Sequence, residues 1–231
     1  MKDVLAMKQQ PGKVLVISDF DGTLCTVDMG NRILNRFTCK EWRVVDDAYI
    51  RGDIGSRSAY TQIAPFMKGT QSKMQDFARR HGGIDPYFGE FYRLCRACGI
   101  DVQIVSDGLD FYIDAILKKC GFAEIPFISN KLIFGDDGSF AMDFPSYNGF
   151  CGRCGTCKRS VVEDRRKIYS RIIYIGDGHS DVCPSRHVDL VFAKDVLYQK
   201  CLENGTACIP FAHFGDIMAY LKGECRRAAS L

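Results

Sequence analysis

The chain has 231 residues, of which 46% are hydrophobic and 26% charged, and its formal net charge is +3. This length suits one large domain or a core with a smaller second domain, and so small a charge gives no reason to expect a nucleic-acid partner. No run approaches the roughly 18 apolar residues of a membrane span, and the N-terminus lacks a signal-peptide pattern. We therefore expect a soluble cytoplasmic protein without a membrane partner, whose twelve cysteines are mostly reduced. The oligomeric state is left open.

The first predicted element is a buried strand at residues 13–22, where a β-branched apolar run ends in a turn. Helical patterns then fill the chain to about residue 99. One begins at Ser56 as a possible N-cap, a second covers residues 70–81, and a third begins at Asp85. This helix-only block is interpreted as an inserted cap domain.

Strands return after the block and alternate with helices. The predicted strands cover residues 100–108, 124–130, 171–178 and 190–195, with a hairpin at 131–144 and helices at 111–120 and 158–167. Such alternation predicts an α/β fold with a doubly wound, mostly parallel sheet. We assign residues 1–25 and 100–231 to this core and residues 26–99 to the helical cap.

Polar side chains follow several of these strands. In open parallel sheets, ligands bind outside the carboxyl ends of the strands. The side chains expected near those ends are carboxylates, one hydroxyl and one lysine: Asp19, Asp21, Ser106, Lys158, Asp177 and Asp181. Carboxylates that converge need a cation, and oxygen ligands favour Mg²⁺. A lysine and a hydroxyl beside that ion predict a phosphate site, and a carboxylate can attack phosphorus.

The segments "DFDGT", "VSDG", a lysine and "GDGHSD", in this order, resemble the four motifs of haloacid-dehalogenase-like phosphatases. The resemblance covers the whole predicted core, and the helical cap is similar to that of the phosphoserine phosphatase subgroup. Within it, "SDGLDFYI" and "CGTCKRSVV" look most like the methionine-salvage 2-hydroxy-3-keto-5-methylthiopentenyl-1-phosphate phosphatases. "GDGHSDVCP" also resembles phosphoethanolamine/phosphocholine phosphatases, which carry a glutamate where this chain has Gly22.

The resemblance implies a role for each carboxylate. Asp19 would attack phosphorus and become an aspartyl phosphate, while Asp21 would protonate the leaving alcohol and later deprotonate water. Mg²⁺ would be held by the Asp19 carboxylate, the Asp21 backbone carbonyl and Asp177. Asp181 would support either the metal ligands or Lys158.

The resemblance also implies a phosphate-binding set and a substrate contact. Ser106, Lys158 and the Gly108 backbone N–H would bind phosphate oxygens. Asp28 lies where phosphoserine phosphatases have a glutamate that reads the substrate amine, so it is either a substrate contact or a helix cap. His179 lies inside a motif but is interpreted as an ordinary loop residue.

Taken together, the motifs imply an Mg²⁺-dependent hydrolase of a small phosphorylated metabolite. The substrate would be a methionine-salvage enol-phosphate or, alternatively, phosphoethanolamine, phosphocholine or phosphoserine. A phosphomutase is possible on the same fold. A non-catalytic sensor of phosphorylated metabolites or metal is the alternative from another class.

Three cysteines precede the lysine in "FCGRCGTCK", at Cys151, Cys154 and Cys157. They could bind zinc, form a disulfide or only pack in a compact loop. A structural zinc site usually has four ligands, and Cys208 and His213 are remote candidates for the fourth. The sequence leaves these alternatives open, with packing favoured.

Overall fold

A computed structural model describes residues 12–39 and 41–229. Seven strands form one sheet in the order β4-β3-β2-β1-β5-β6-β7. Their bounds are β1 Val14–Ser18, β2 Ile100–Leu109, β3 Phe127–Phe134, β4 Phe140–Asp143, β5 Arg171–Gly176, β6 Leu190–Ala193 and β7 Ile209–Pro210. Neighbouring strands pair in parallel except β3 and β4, which form the antiparallel hairpin. The predicted α/β fold with a mostly parallel sheet is confirmed.

Ten helices surround the sheet within the described residues. They are α1 Met29–Phe37, α2 Trp42–Ile50, α3 Ser56–Ile63, α4 Gln71–His81, α5 Phe88–Ala97, α6 Asp110–Cys120, α7 Lys158–Arg166, α8 Val182–Ser185, α9 Asp195–Asn204 and α10 Phe214–Ala229. Among the elements that the structure describes, no helix is both long enough and apolar enough to cross a membrane.

The apolar core lies on both faces of the sheet. Alternate residues of β1 enter different clusters: Val16 packs in the large one with residues of α1, α4, α5 and α6, while Leu15 and Ile17 pack against α7 through Val161 and Val162. This alternation is expected, because successive side chains of a strand point to opposite faces. The double coverage is why the central strands read as continuous apolar runs.

The helical insert leaves and rejoins the core along two adjacent segments. Thr26 N–H donates to the Gly83 carbonyl at 3.0 Å, and Asp85 N–H donates to the Leu24 carbonyl at 3.0 Å. Cys25 pairs with Ile84 in an antiparallel bridge. The limits of residues 26–99 remain a proposal, and these contacts favour a return to the core near residue 85. The packing of α5 on β2 and α10 favours the same boundary.

Three local predictions differ from the structure. Ser56 is the first residue of α3, after Gly55 at the N-cap, and makes no capping bond. The predicted short strand at 124–130 and the first arm of the hairpin are one strand, β3, because no turn separates them. The helix predicted from Asp85 begins at Phe88, and the Asp85 carboxylate accepts the Tyr87 N–H at 2.8 Å.

Candidate active site

Asp19 lies directly after β1, where the strand ends in the middle of the sheet. Its backbone N–H still donates to the Ile175 carbonyl of β5 at 2.9 Å, which fixes the turn that follows. Its Oδ1 accepts the Phe20 N–H at 2.7 Å and lies 2.9 Å from the Lys158 ammonium. The side chain of Phe20 is buried in the core, so the chain leaves the strand with both Asp19 and Asp21 near the same edge of the sheet.

Lys158 is the first residue of α7, and its side chain is 1% exposed. Its ammonium lies 2.6 Å from Asp181 Oδ1 as well as 2.9 Å from Asp19. Burial alone would lower the pKa of this lysine, but the two carboxylates outweigh burial and raise its pKa well above the usual value. Lys158 is therefore a fixed positive charge between two strand ends.

Asp181 is fully buried and surrounded by donors. Its Oδ1 accepts the Tyr174 hydroxyl at 2.6 Å in addition to Lys158, and its Oδ2 accepts the N–H groups of Asp177 and Gly178 at 3.0 Å each. Burial raises the pKa of Asp181, but the Lys158 charge and these hydrogen bonds prevail, and the net pKa is lowered. Its contacts thus support Lys158 and shape the loop that carries Asp177.

Three carboxylates could hold a metal ion together. Oxygens of Asp19, Asp177 and Asp181 lie within 4.8 Å of one another. Burial and then the Asp181 charge raise the pKa of Asp177 to about 6 and that of Asp19 well above its usual value. Carboxylates this close repel one another, and a hard cation removes that repulsion. The donor set fits Mg²⁺, with Asp19 and Asp177 as the better ligands because both Asp181 oxygens are already occupied by donors.

Gly22 makes room for Asp177. It has a φ of +72°, and a Cβ there would lie 2.4 Å from Asp177 Oδ2. Thr23 donates its hydroxyl to the other oxygen of Asp177. A glutamate at position 22 would therefore require a different local arrangement, so the phosphoethanolamine/phosphocholine pattern is not reproduced here.

Asp21 lies on the side of the site nearest the cap. Its Oδ1 accepts the Met29 N–H at 2.8 Å, at the start of α1, and its Oδ2 accepts the Tyr112 hydroxyl. Burial, followed by the nearby Asp28 charge, raises the pKa of Asp21 to about 7. A carboxyl group that titrates near neutrality can both donate and accept a proton during a reaction.

Ser106 and Gly108 lie in an irregularity of β2, where the pairing with β3 shifts between Val105 and Leu109. Gly108 N–H donates to Ser106 Oγ at 3.0 Å, so this N–H is engaged within the segment, and its predicted contact with phosphate remains a prediction. A Cβ at Gly108 would lie 2.0 Å from the Tyr112 hydroxyl oxygen. Only glycine leaves room there for Tyr112 to reach Asp21.

A cavity of about 270 Å³ separates these groups from the helical insert. We call Asp19, Lys158, Asp177 and Asp181 the core side of the site. We call five polar residues of the insert that line the cavity the cap side: Asp28, Asn31, Asp46, Tyr49 and Tyr60. Ser56 of the insert also lines the cavity.

Asp28 is a helix cap, one of the two alternatives that the sequence left open, and its contact with substrate remains a prediction. It accepts the Asn31 N–H at 2.8 Å as the N-cap of α1, and it lines the cavity. His179, interpreted as a loop residue, lies in a short 3₁₀ turn, His179–Asp181, and also lines the cavity.

The cysteine loop, residues 150–157, directly precedes Lys158 at the start of α7. Cys157 is buried and is the N-cap residue of α7, whereas Cys151 is exposed and Cys154 is partly buried. All three are free thiols, as are Cys183 and Cys208, so the disulfide alternative is not supported. Within the described part of the chain, the acidic group at the strand ends is the one set of three or more ligands that lies within metal-binding range. The zinc alternative therefore gains no support from this geometry.

Comparison with known proteins identifies the family to which this chain belongs. The family model described as "Putative Phosphatase" matches residues 14–200. The chain belongs to this phosphatase family. Two curated relatives are 2-hydroxy-3-keto-5-methylthiopentenyl-1-phosphate phosphatases. The one from Geobacillus kaustophilus is 28% identical over 213 residues, 91% of this chain and 96% of the relative. The one from Bacillus pumilus is 28% identical over 219 residues, 90% of each chain.

Solved structures show the same fold as this phosphatase. A phosphoserine phosphatase with a phospho-aspartyl intermediate analogue has a TM-score of 0.67 at 20% identity, over 91% of this chain and 99% of its own. A phosphoserine phosphatase from T. onnurineus has a TM-score of 0.67 at 17% identity, over 93% and 98%. The phosphatase thus has the fold of the phosphoserine phosphatases, the fold that its haloacid-dehalogenase-like motifs implied.

Several site residues of this phosphatase were not predicted from its sequence. Tyr112 contacts Asp21, Tyr174 contacts Asp181, and Asp107 lies half-buried between the two predicted residues of β2. Tyr112 lies within the quoted motif "SDGLDFYI", so its proximity to Ser106 was the available signal. Tyr174 lies within an apolar strand, and nothing in that pattern distinguishes it from a core residue.

Proposed function

We propose that this phosphatase hydrolyses small phosphomonoesters through an aspartyl phosphate on Asp19, with Mg²⁺ as cofactor. The observation that carries this proposal is the grouping of Asp19, Asp177 and Lys158 at the strand ends, beside a carboxyl group, Asp21, whose pKa is about 7. A cytoplasmic location belongs to the same proposal and rests on the many free thiols.

The chemistry has two steps. An Asp19 carboxylate oxygen attacks phosphorus, the bond from phosphorus to the leaving oxygen breaks, and Asp21 gives its proton to that oxygen. Water then attacks the aspartyl phosphate while Asp21 takes a proton from it, and phosphate leaves with Asp19 regenerated. Because the Tyr112 hydroxyl and the Met29 N–H engage different oxygens of Asp21, they fix its orientation in both steps.

The remaining residues would bind the metal ion and the phosphoryl oxygens. The Asp19 and Asp177 carboxylates and the Asp21 backbone carbonyl would hold Mg²⁺, which would neutralise the carboxylates and the phosphoryl oxygens. Lys158 and Ser106 would bind phosphoryl oxygens, with Gly108 N–H joining them if its bond to Ser106 opens. Asp181 holds Lys158 in place and keeps it charged.

The first substrate candidate is the methionine-salvage enol-phosphate named for both curated relatives. Its leaving group is uncharged and carries a methylthio end. Apolar side chains of the insert that line the cavity suit such a group: Leu34, Ile50, Ala59 and Ile63. Burial of a thioether against aliphatic side chains is favourable and needs no polar partner.

The second candidate is phosphoethanolamine or phosphocholine, and a different observation favours it. Asp28 and Asp46 line the cavity, and burial raises the pKa of both, with Asp28 also raising that of Asp46. Tyr49 and Tyr60 line the same cavity, and carboxylates with aromatic faces recognise ammonium groups. Among the described residues that line the cavity there is no arginine or lysine to receive the carboxylate of phosphoserine, which makes that substrate the weakest of the three.

A comparison of substrates tests both the Mg²⁺-dependent phosphatase activity and the choice of substrate. Phosphate release is measured from the enol-phosphate, phosphocholine, phosphoethanolamine and phosphoserine, with Mg²⁺ and then with EDTA. We expect activity on one of the first three at least tenfold above phosphoserine, its loss in EDTA and its recovery on adding Mg²⁺. Activity that persists in EDTA would contradict the assignment of Mg²⁺ as cofactor. Preference for phosphoserine would contradict the inference that the cavity cannot receive the carboxylate of that substrate.

Two other outcomes have their own signatures. A sensor would bind phosphorylated metabolites without releasing phosphate. A phosphomutase would transfer the phosphoryl group from Asp19 to a second alcohol faster than to water, which mass spectrometry of the products distinguishes.

A further inference from the structure

The cysteine loop touches the insert as well as positioning Lys158. Gly55, Ser56 and Arg57 of the insert lie against residues 153–156 of the loop, and we call these two segments the latch. Arg57 N–H donates to the Arg153 carbonyl at 3.2 Å, and Arg153 in turn donates from its guanidinium to the Gly52 carbonyl at 2.8 Å. The contact is therefore made from both sides by backbone as well as side-chain groups.

The two backbones approach so closely that the latch requires a glycine. A Cβ at Gly55 would lie 2.0 Å from the Arg153 carbonyl oxygen, although the φ of Gly55, −92°, is available to any residue. Space alone thus restricts this position. The Arg57 guanidinium stacks over the Tyr147 ring, 4.4 Å from its centroid, and extends the contact towards the start of the loop.

Ser56 lies at the centre of the latch and is buried. Its Oγ accepts the Gly155 N–H at 3.0 Å. The next N–H along the loop, that of Thr156, donates to the Asp107 carboxylate. One side chain of the insert is therefore linked, through two successive N–H groups of the cysteine loop, to the residue between Ser106 and Gly108.

Asp107 accepts hydrogen bonds from two residues outside the insert. The Asn130 side-chain amide and the Thr156 N–H each donate to its Oδ1 at 2.9 Å. Burial raises the pKa of Asp107, and these donors, with Ser56, offset part of that effect. If the insert moves away, the buried Gly155 N–H loses its acceptor, and an unpaired polar group of this kind is costly.

We propose that Ser56 is a positioning residue that couples the seating of the insert to the geometry of the phosphate-binding segment, residues 106–108. The coupling runs from Ser56 through Gly155 and Thr156 to Asp107, and along the same loop to Lys158. The site is then fully ordered only when the insert is seated. This inference rests on the proposed function, because it assigns a catalytic consequence to the contact.

The test compares Ser56→Ala with Ser58→Ala, its matched control on the same helix, where Ser58 is exposed and accepts a hydrogen bond from the Gln62 side chain. Gly55→Ala is an independent second variant, which pushes the segments apart without removing a hydroxyl. For each protein, kcat and KM for p-nitrophenyl phosphate, the Tm, and hydrogen exchange of peptides covering residues 52–57 and 150–157 are measured. Exchange is repeated with Mg²⁺ and beryllium fluoride.

We expect Ser56→Ala and Gly55→Ala to lower kcat about tenfold, the effect of roughly one lost hydrogen bond, with little change in KM. Their latch peptides should exchange faster and gain less protection from Mg²⁺ and beryllium fluoride than those of wild type and Ser58→Ala. A wild-type kcat with wild-type exchange in either latch variant would overturn the proposal. So would a loss of kcat accompanied by faster exchange throughout the chain, since that would show a structural role only.

Failure of the proposed function looks different. Wild-type protein would then release no phosphate and show no response to Mg²⁺ and beryllium fluoride. The exchange of the 150–157 peptide in Ser56→Ala would still decide whether the latch contact exists, and unchanged exchange there would overturn it.

Discussion

The core side and the cap side of the site are built in opposite ways. On the core side, Lys158 and Asp181 are fully buried and each contacts several charged or polar partners at 2.6–3.0 Å. On the cap side, Asp46 and Tyr49 line the cavity on an insert that joins the core through one pair of adjacent segments. The core side is fixed by redundant contacts, whereas the cap side depends on how the insert is seated.

This difference separates two kinds of substitution. Changes on the core side should affect kcat on every substrate, and some should also affect stability, because they leave charges without partners. Changes to the five cap-side residues should affect KM and substrate preference, because those residues would contact the leaving group. The latch variants differ, because they act through residues 106–108.

The largest effect is expected from Asp19→Asn. Removal of the nucleophile should lower kcat by about 10³-fold or more on every substrate. The fold should survive, because the amide keeps the shape and one carboxylate charge leaves a crowded cluster. Steady-state phosphate release and thermal unfolding measure the two effects, with Asp101→Asn, an exposed residue of β2, as control. Activity within tenfold of wild type would contradict the assigned nucleophile.

Lys158→Ala should lower both activity and stability. It leaves Asp19 and Asp181 buried without their cation, and breaking such a pair costs about 3–5 kcal/mol of unfolding free energy. Lys167→Ala removes the same side chain just after α7, where its exposed ion pair with Asp164 contributes little to stability. Urea unfolding of the two variants without Mg²⁺ gives the contrast, and equal stabilities would show that the core side tolerates an unpaired carboxylate.

Tyr112→Phe should have an intermediate effect. The variant keeps the ring but removes the donor to Asp21, and one hydrogen bond to a charged group corresponds to a rate loss of about tenfold or somewhat more. KM should change little, since the hydroxyl acts through Asp21. Tyr169→Phe, which loses a surface hydrogen bond to Asp101, is the matched control. A raised KM with unchanged kcat would place Tyr112 in substrate binding instead.

The smallest effect is expected from Asp46→Asn. If the substrate carries an ammonium group, KM for phosphocholine should rise a few-fold while kcat is retained, because the substitution removes one partly screened charge. Asp47→Asn changes the neighbouring exposed carboxylate and should leave KM unaltered. An unchanged KM in Asp46→Asn would favour the enol-phosphate candidate, whose leaving group has no charge to lose.

The sequence predicted the core side far better than the cap side, and the reason is geometric. Parallel strands end at one edge, so Asp19, Ser106 and Asp177 had to lie close together once the strands were assigned. Lys158 was found because its motif follows a fixed order along the chain. Tyr49 and Tyr60 were missed because a helix pattern shows which residues are apolar, but not which of them face a cavity between the insert and the sheet.

The same reasoning explains the errors in detail. Serine is a preferred N-cap residue, so local propensity assigned Ser56 that role, but a long-range contact with Gly155 determines its position. Asp107 lies between two predicted residues but was not itself predicted, because its hydrogen-bond donors, such as Asn130, lie far away in the sequence. Propensity and order along the chain carry no information on such partners.

The paired segments at residues 24–26 and 83–85 make the insert an exchangeable cassette. Because the chain departs and returns side by side, a different helical unit with the same spacing between its ends can replace the insert without displacing β1 or the residues that follow it. Such a replacement would also have to supply the contacts that Met29 and Ser56 make with the rest of the site. Under the proposed function, a unit that met this condition would change which alcohol is accepted and keep the phosphoryl chemistry.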